Sequence, residues 1–421
     1  MPERTTDYLI VGGGVAGGHA VYGIRKNDKI GNIIVINKED HFPYDRPPLS
    51  KEYLAGKKEK REVFFRADSY YKRSKVEFIR GHSVNAIDTS LRKVRLDDGR
   101  ELSYKSLLIA TGGRVRKLEL PGSDLEGIYY LRTIEDCDAI RKVATRSKEA
   151  VIIGGGFIGC EVAATLRGKG LKVTLIHKSP QLLSAAIDME TAQWIQGYHS
   201  KKGVKVLLNT NVTKFVGKDG KVQAVEVDDG KQIAADFVVV GIGITLNTEL
   251  AEMAGLKIDK GVLVNEYLKT SADGVYAAGD IARFYSPIFE RNLRVEHVDV
   301  AQKQGKIAGM NMAGRKEPFN ELPYFFSFQY DLEINAYGDL SQHTEIVRRG
   351  KLDAKTGFIQ FYFNDKMLNG ILAVNADWNE IERAKSLLNM QKEFPSPSIL
   401  SDESKTLRQQ LRMLVEKKKH T

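Results

Sequence analysis

Apolar residues in this chain come in short runs that stop at glycines. Asp7-Tyr-Leu-Ile-Val11 breaks at Gly12-Gly-Gly-Val-Ala-Gly17, a helix can follow to Lys26, and residues 32–36 form a second apolar run. Short apolar runs bounded by glycine read as buried strands, and strand, turn, helix, strand is the repeating unit of a parallel sheet. The same grammar returns further on, with residues 150–153 as strand, Gly154-Gly-Gly-Phe-Ile-Gly159 as turn, residues 160–168 as helix and residues 172–176 as strand. Leu107-Leu-Ile-Ala-Thr-Gly-Gly113 predicts another buried strand, and the turn-rich Leu120-Pro-Gly-Ser-Asp124 marks a crossing between units. Phe237-Val-Val-Val-Gly-Ile-Gly243 closes the second unit, and Gly274-Val-Tyr-Ala-Ala-Gly-Asp280 predicts a return to the first sheet, so the second unit is inserted in the first. Beyond about Arg315 the pattern turns to alternating strands such as Phe358-Ile-Gln-Phe-Tyr-Phe363, which predicts a separate C-terminal α+β domain.

Composition narrows this picture. A chain of 421 residues exceeds one ordinary core, and 38 glycines against 11 prolines favour many tight turns over disorder. Residues 1–7 are short and polar and lead directly into the first strand, so an export signal is not expected. The longest apolar and glycine run, residues 237–244, is far below the roughly 20 residues of a bilayer helix, and a cytoplasmic protein is expected. The net charge of +10 is spread along the chain rather than gathered in an arm, and nucleic acid is not an expected partner. Residues 404–418 place Leu407, Leu411, Leu414 and Val415 on one helical face among basic residues. A helix packed on its own domain is the preferred reading, with peripheral membrane contact as the alternative.

The glycine turns carry the first chemistry. Gly12 makes the bend, Gly14 lets backbone approach a pyrophosphate and Gly17 lets helix and strand pack closely; Gly154, Gly156 and Gly159 repeat the set. Each turn would aim a helix N-terminus at phosphates. The expected fold is therefore α/β, with two Rossmann-like dinucleotide-binding domains, the second inserted in the first, plus the C-terminal α+β domain. An acid should follow each second strand to hold a ribose, and Glu39 and Asp40 are the candidates in the first unit. The second unit has His177 and Lys178 there instead, a basic pair that would accept a 2′-phosphate and tilts the expectation toward NADPH.

Several runs in a fixed order then carry a resemblance: Pro43-Tyr-Asp-Arg-Pro-Pro-Leu-Ser-Lys51, Ala110-Thr-Gly112, Tyr130-Leu-Arg-Thr133, Gly279-Asp280, Arg294-Val-Glu-His-Val298 and Pro323-Tyr-Phe-Phe-Ser-Phe-Gln-Tyr-Asp331. Together they resemble the ferredoxin reductase group of the pyridine-nucleotide flavoprotein superfamily, which includes putidaredoxin reductase, the reductases of ring-hydroxylating dioxygenases and apoptosis-inducing factor. The resemblance implies an FAD-binding domain in residues 1–115 and 244–315, an NAD(P)H-binding domain in residues 116–243 and the C-terminal domain in residues 316–421. It implies that Ala16, Lys51, Val84, Arg132, Asp280 and Val298 line the FAD, and that Arg46, Ala110, Thr111, Gly112, Gly279, Glu296, His297 and Phe326 are also cofactor-binding residues. Lys51 would stand beside flavin N5, paired with Glu161, and a cation there stabilises charge building on the ring as hydride arrives. Phe157 resembles an aromatic lid over the nicotinamide site, with Ile158 and Gly243 lining the same nucleotide.

The implied reaction is hydride transfer from NAD(P)H to FAD, then release of single electrons to a small acidic ferredoxin-type protein. Two cysteines, Cys137 and Cys160, are present and residues 1–136 hold none, so the redox disulfide of glutathione-reductase-like enzymes is not expected. The eight histidines are scattered, without the spacing of a metal site. Phe326 and Phe328 stand where the group often has tryptophan and aspartate, which leaves the acceptor open. Two alternatives remain beside the leading one: a dehydrogenase reducing quinone or oxygen, and a redox-regulated binding protein like apoptosis-inducing factor. A homodimer is a further assembly to test.

Overall fold

The computed structural model describes residues 4–184, 187–390, 394 and 396–416; for residues 411 and 413–416 it describes backbone alone. The chain forms two compact units, one of Met1–Pro47, Glu59–Arg114 and Ile244–Pro323, the other of Pro48–Lys58, Val115–Gly243 and Tyr324–Thr421.

In the first unit, strands Val76–Arg80, Ile33–Asn37, Arg4–Val11, Glu101–Ile109 and Val275–Ala277 pair in that order, all parallel. Val275–Ala277 thus rejoins the sheet on Leu107–Ile109, as the return of the chain predicts. Lys93–Leu96 and Val84–Asp88 extend the sheet antiparallel. Its central strands read as unbroken apolar runs because helices cover them; Leu9, Ile10, Val35, Leu107, Leu108 and Ile109 are fully shielded. Helix Val15–Asn27 leaves the first glycine turn and packs along helix Val298–Met312. Gly23, Gly305 and Gly309 allow that approach, since a Cβ on any of them would lie within 2.0–2.2 Å of a facing carbonyl oxygen.

In the second unit, Val204–Leu207, Lys172–Ile176, Glu149–Ile153, Phe237–Val240 and Ile128–Tyr130 form a parallel sheet in that order. Helix Phe157–Gly168 leaves its glycine turn. The C-terminal sheet, Tyr324–Gln329, Leu332–Gly338, Met367–Val374, Phe358–Asn364 and Glu345–Gly350, is antiparallel throughout, with helix Trp378–Asn389 against it. Two features differ from the expected boundaries. Residues 48–58 lie with the second unit because Ser50 and Leu49 bond to its helices: Thr165 Oγ1 donates to Ser50 O at 2.8 Å and Cys137 Sγ to Leu49 O at 3.1 Å. The C-terminal sheet also shares that unit, tied by Thr191 Oγ1 to Gln360 Oε1 at 3.0 Å and Tyr362 Oη to Asp188 Oδ2 at 2.8 Å.

The terminal helix Leu407–Glu416 begins on its own domain. Leu407 and Gln410 are buried, and Gln410 Nε2 donates to Ile399 O at 2.6 Å. The side chains of Leu411, Leu414 and Val415, and residues 417–418, lie outside the described residues.

Candidate active site

Both glycine turns have the geometry that the spacing predicts. Gly12 sits at φ +111°, and a Cβ there would lie 2.2 Å from Ala110 O; Gly154 sits at φ +113° with Gly241 O at 2.2 Å. A Cβ on Gly17 would meet Gly12 O at 2.0 Å and one on Gly159 would meet Gly154 O at 1.8 Å, so strand and helix touch through hydrogen alone. Gly14 and Gly156 differ in kind: a Cβ on either meets nothing within 4 Å. Open space therefore stands before the N-terminus of each helix, and neither first turn carries an acidic residue. That is the cradle a pyrophosphate needs, with amide N–H groups and the positive end of the helix facing it.

Some of the first unit's other predicted residues adjoin this turn, and the rest have surroundings of their own. Ala110 adjoins Gly12, and Ala16 adjoins Gly279, whose missing Cβ would come to 3.1 Å from the Ala16 Cβ. Glu39 accepts from the Tyr44 hydroxyl and from Arg46 at 2.6 Å, so the acid after the second strand is fixed in place by its neighbours. Asp40 points outward to Arg80 at 3.6 Å. Thr111 is locked to Asn247 by reciprocal bonds of 3.0 and 2.9 Å, and Gly112 takes a φ of +58°. Asp280 and Val84 are half-buried, Glu296 is exposed and bonded to Arg294, and Val298 begins a helix whose N-cap is His297. Gln304, which the motifs do not single out, accepts from Gly279 N–H at 2.9 Å, while its own buried amide nitrogen has no hydrogen-bond partner. An orphaned donor beside the turn, with the open space at Gly14, fits a dinucleotide phosphate group.

His297 keeps a little accessible surface yet is closely surrounded, and desolvation lowers its pKa from 6.5 to about 4 against the pull of Asp280. The unfolded chain then binds more protons than the folded one between those values, so stability falls as pH drops from 6.5 toward about 4. His297→Gln is expected to flatten this acid loss, read by melting both proteins at pH 7 and near pH 4.5.

In the second unit Lys51 and Glu161, far apart in sequence, meet. Lys51 Nζ lies 2.7 Å from Glu161 Oε2, and the two residues are only 8% and 3% exposed. Ser50 Oγ donates to the same carboxylate oxygen and Ser327 Oγ donates to Oε1 at 2.7 Å. Lys51, Ser50 and Ser327 thus all donate to one carboxylate, Lys51 Nζ also lies 3.3 Å from Ser50 Oγ, and the ammonium has no other anion among its described contacts. Ser50 and Ser327 are the partners that motif reading passes over; both lie inside quoted runs, and their signal is a polar residue at a position the strand and turn bury. Arg132 is held through its backbone N–H by Asp136 Oδ2 at 2.9 Å. Phe157 is half-buried and leans on Phe325 at 4.9 Å between ring centres, while Ile158 and Gly243 are exposed. Phe326 lies between Tyr324 and Phe328, at 5.9 and 5.4 Å.

His177 corrects one expectation. Its Nδ1 accepts from Gly155 N–H at 3.1 Å, and burial, then neighbouring Lys178, lowers its pKa. It offers a neutral ring with an Nε2–H, and Lys178, which is exposed, supplies the positive charge alone.

Neither thiol is reactive by environment. Cys137 and Cys160 are unpaired and fully buried; burial pushes the Cys137 thiol to about 12 and raises Cys160 as well. Among the described residues one group of possible metal ligands appears, His82, Asp97 and Asp98, at the surface and already bonded to one another, to Ser83 N–H and to Arg100. No described helix is long and apolar enough to cross a membrane.

Comparison with known proteins agrees with this geometry over nearly the whole chain. The family model described as pyridine nucleotide-disulphide oxidoreductase matches residues 6–305, and the one described as reductase C-terminal matches residues 324–411. Putidaredoxin reductase CamA of Pseudomonas putida is 34% identical over 407 residues, 95% of this chain and 96% of its own. The ferredoxin–NAD(+) reductase subunit of the benzene 1,2-dioxygenase system, also of Pseudomonas putida, is 34% identical over 95% of this chain and 96% of its own. The solved covalent putidaredoxin reductase–putidaredoxin complex includes a chain 33% identical to this one that superposes with a TM-score of 0.93, covering 98% of this chain and 99% of that one. Two glycine turns, a buried lysine–glutamate pair and a reductase C-terminal domain thus have one common explanation: the chain belongs to the pyridine nucleotide-disulphide oxidoreductase family.

Proposed function

We propose that the protein is an FAD-dependent NAD(P)H oxidoreductase that passes single electrons to a ferredoxin-type iron–sulfur protein. The observation that carries this reading is the buried Lys51–Glu161 pair, in a chain whose two cysteines are buried, unpaired and held as thiols. Bound FAD and NAD(P)H would supply hydride chemistry on one side and one-electron release on the other. Gly12, Gly14, Ala16 and Gly17 would hold the FAD pyrophosphate, Glu39 its ribose, and Arg46, Val84, Ala110, Thr111, Gly112, Arg132, Gly279, Asp280, Glu296, His297, Val298 and Phe326 the remainder. Gly154, Gly156, Phe157, Ile158, Gly159, His177, Lys178 and Gly243 would receive the nicotinamide nucleotide. Lys51 would hold positive charge where negative charge develops, and Glu161 keeps that ammonium in one place without exposing it to water. The acceptor assignment follows relatives whose names specify a ferredoxin or putidaredoxin, and the net charge of +10 suits an acidic partner.

The test is anaerobic reduction of cytochrome c by NADH and by NADPH, with and without a two-iron ferredoxin. Many-fold acceleration by ferredoxin is expected; rapid reduction of quinones with no ferredoxin effect would replace this reading with a quinone-directed dehydrogenase.

Nucleotide choice rests on Lys178 with a neutral His177, and a modest preference for NADPH is proposed. His177→Glu keeps an acceptor for Gly155 N–H but adds a charge that repels a 2′-phosphate. It is expected to lower the NADPH-to-NADH ratio of kcat/KM by about tenfold or more, read from initial rates with each nucleotide.

A further inference from the structure

The lysine–glutamate pair is one end of a longer buried file. Ser327 and Gln329 are alternate residues of strand Tyr324–Gln329, so their side chains leave the same face, and His199 stands in the last turn of helix Met189–Lys201. Gln329 Nε2 donates to Ser327 Oγ at 3.1 Å, and Gln329 Oε1 lies 2.8 Å from His199 Nε2. All three residues are completely shielded from solvent.

The direction of the file is set by chemistry at its near end. An ionised carboxylate only accepts, so Ser327 donates its hydrogen to Glu161 and keeps only lone pairs for Gln329. Gln329 must then offer nitrogen to the serine and oxygen to the imidazole, which in turn must carry its hydrogen on Nε2. His199 Nδ1 is left as the bare nitrogen, and it is buried without a hydrogen-bond partner beside the Tyr330 ring, 5.3 Å between centres. Burial lowers the His199 pKa, against the raising effect of the Gln329 bond. An unpaired buried ring nitrogen is destabilising, and an apolar side chain of similar size would avoid that cost. Packing alone therefore gives no reason for a histidine here.

We propose that His199 is a positioning residue for the charge pair: through Gln329 and Ser327 it fixes the orientation of the Glu161 carboxylate, and so the place of the Lys51 ammonium. This rests on the assignment of Lys51 and Glu161 to the flavin reaction made above.

Two measurements test it. In the ¹⁵N-histidine-labelled holoenzyme, NMR is expected to show His199 as the Nε2–H tautomer at neutral pH; an Nδ1–H tautomer overturns the proposal whatever the activity. In stopped-flow work under anaerobic conditions, His199→Phe is expected to slow flavin reduction at saturating NAD(P)H about tenfold, with nucleotide affinity changed less than about twofold. His199→Gln returns an N–H donor and is expected to recover most of the rate. Equal losses in both variants, or a loss confined to nucleotide affinity, overturn the proposal. Should His199→Phe fail to fold, Gln329→Met breaks the same file and is expected to show the same loss. Glu161→Gln separates the two levels. If it slows flavin reduction while His199→Phe does not, only the positioning role falls; if it leaves the rate unchanged, the assignment of the charge pair falls and the positioning role with it.

Discussion

A Glu161→Ala protein is expected to reduce its flavin about a hundredfold more slowly than the parent, and to be less stable by about 3 kcal/mol or more. Both effects come from one change. With the carboxylate gone, the Lys51 ammonium is left buried without its counter-charge, and Ser50 and Ser327 lose the acceptor they share. An unpaired buried cation either drags in water or gives up its proton, and both defeat the placement of positive charge. Instability and slow chemistry can be separated by a second protein, Lys51→Met with Glu161→Leu. Replacing both partners by apolar groups removes the stranded charge, so stability is expected to return to within about 1–2 kcal/mol of the parent. The reduction rate should stay low. Denaturant melts of the three proteins, beside anaerobic stopped-flow traces, check the pattern; a double variant that recovers both properties would make the pair purely structural.

The second large effect concerns glycines that look alike and act differently. Gly14→Ala adds a methyl group into space that no protein atom occupies within 4 Å, at a φ of −77° that alanine accepts. The chain is expected to fold with unchanged melting in the apo form and to lose FAD affinity at least about tenfold, because the methyl fills the place of a phosphate. Gly156→Ala makes the same change in the second unit, and is expected to keep its flavin while the KM for NAD(P)H rises by a similar factor. Gly17→Ala is the contrast: its Cβ would lie 2.0 Å from Gly12 O, a backbone atom that cannot swing aside, so the fold itself should suffer. Flavin content after desalting, steady-state KM and apo-protein melting read all three.

These differences also mark what is legible in sequence. The two dinucleotide folds and the return strand Val275–Ala277 could be read directly, because a strand that ends in a glycine bend admits few other residues. The charge pair could not be derived from spacing, since Lys51 and Glu161 are 110 positions apart; only resemblance to a family joins them. Their partners were less visible still. Ser50 lies in a proline-rich turn and Ser327 in a strand of aromatics, and nothing local says that either is buried against a carboxylate. The surroundings of His177 are equally hidden, because the Gly155 amide that bonds its Nδ1 and the desolvation that lowers its pKa are properties of the folded turn. Membership of residues 48–58 in the second unit was hidden for a similar reason: it depends on Thr165 and Cys137, which are distant in sequence.

Strand Tyr324–Gln329 has one more implication. Its odd-numbered inner positions, Ser327 and Gln329, belong to the buried file, while Phe326 and Phe328 on the other face are half-buried and 38% exposed. A period of two thus divides one short segment between two tasks that need not change together. A new side chain at 328 can alter what the protein presents to other molecules without disturbing Glu161, whereas insertion of a single residue would exchange the two faces at once. Diversity along this strand should therefore come through substitution and almost never through a change of length.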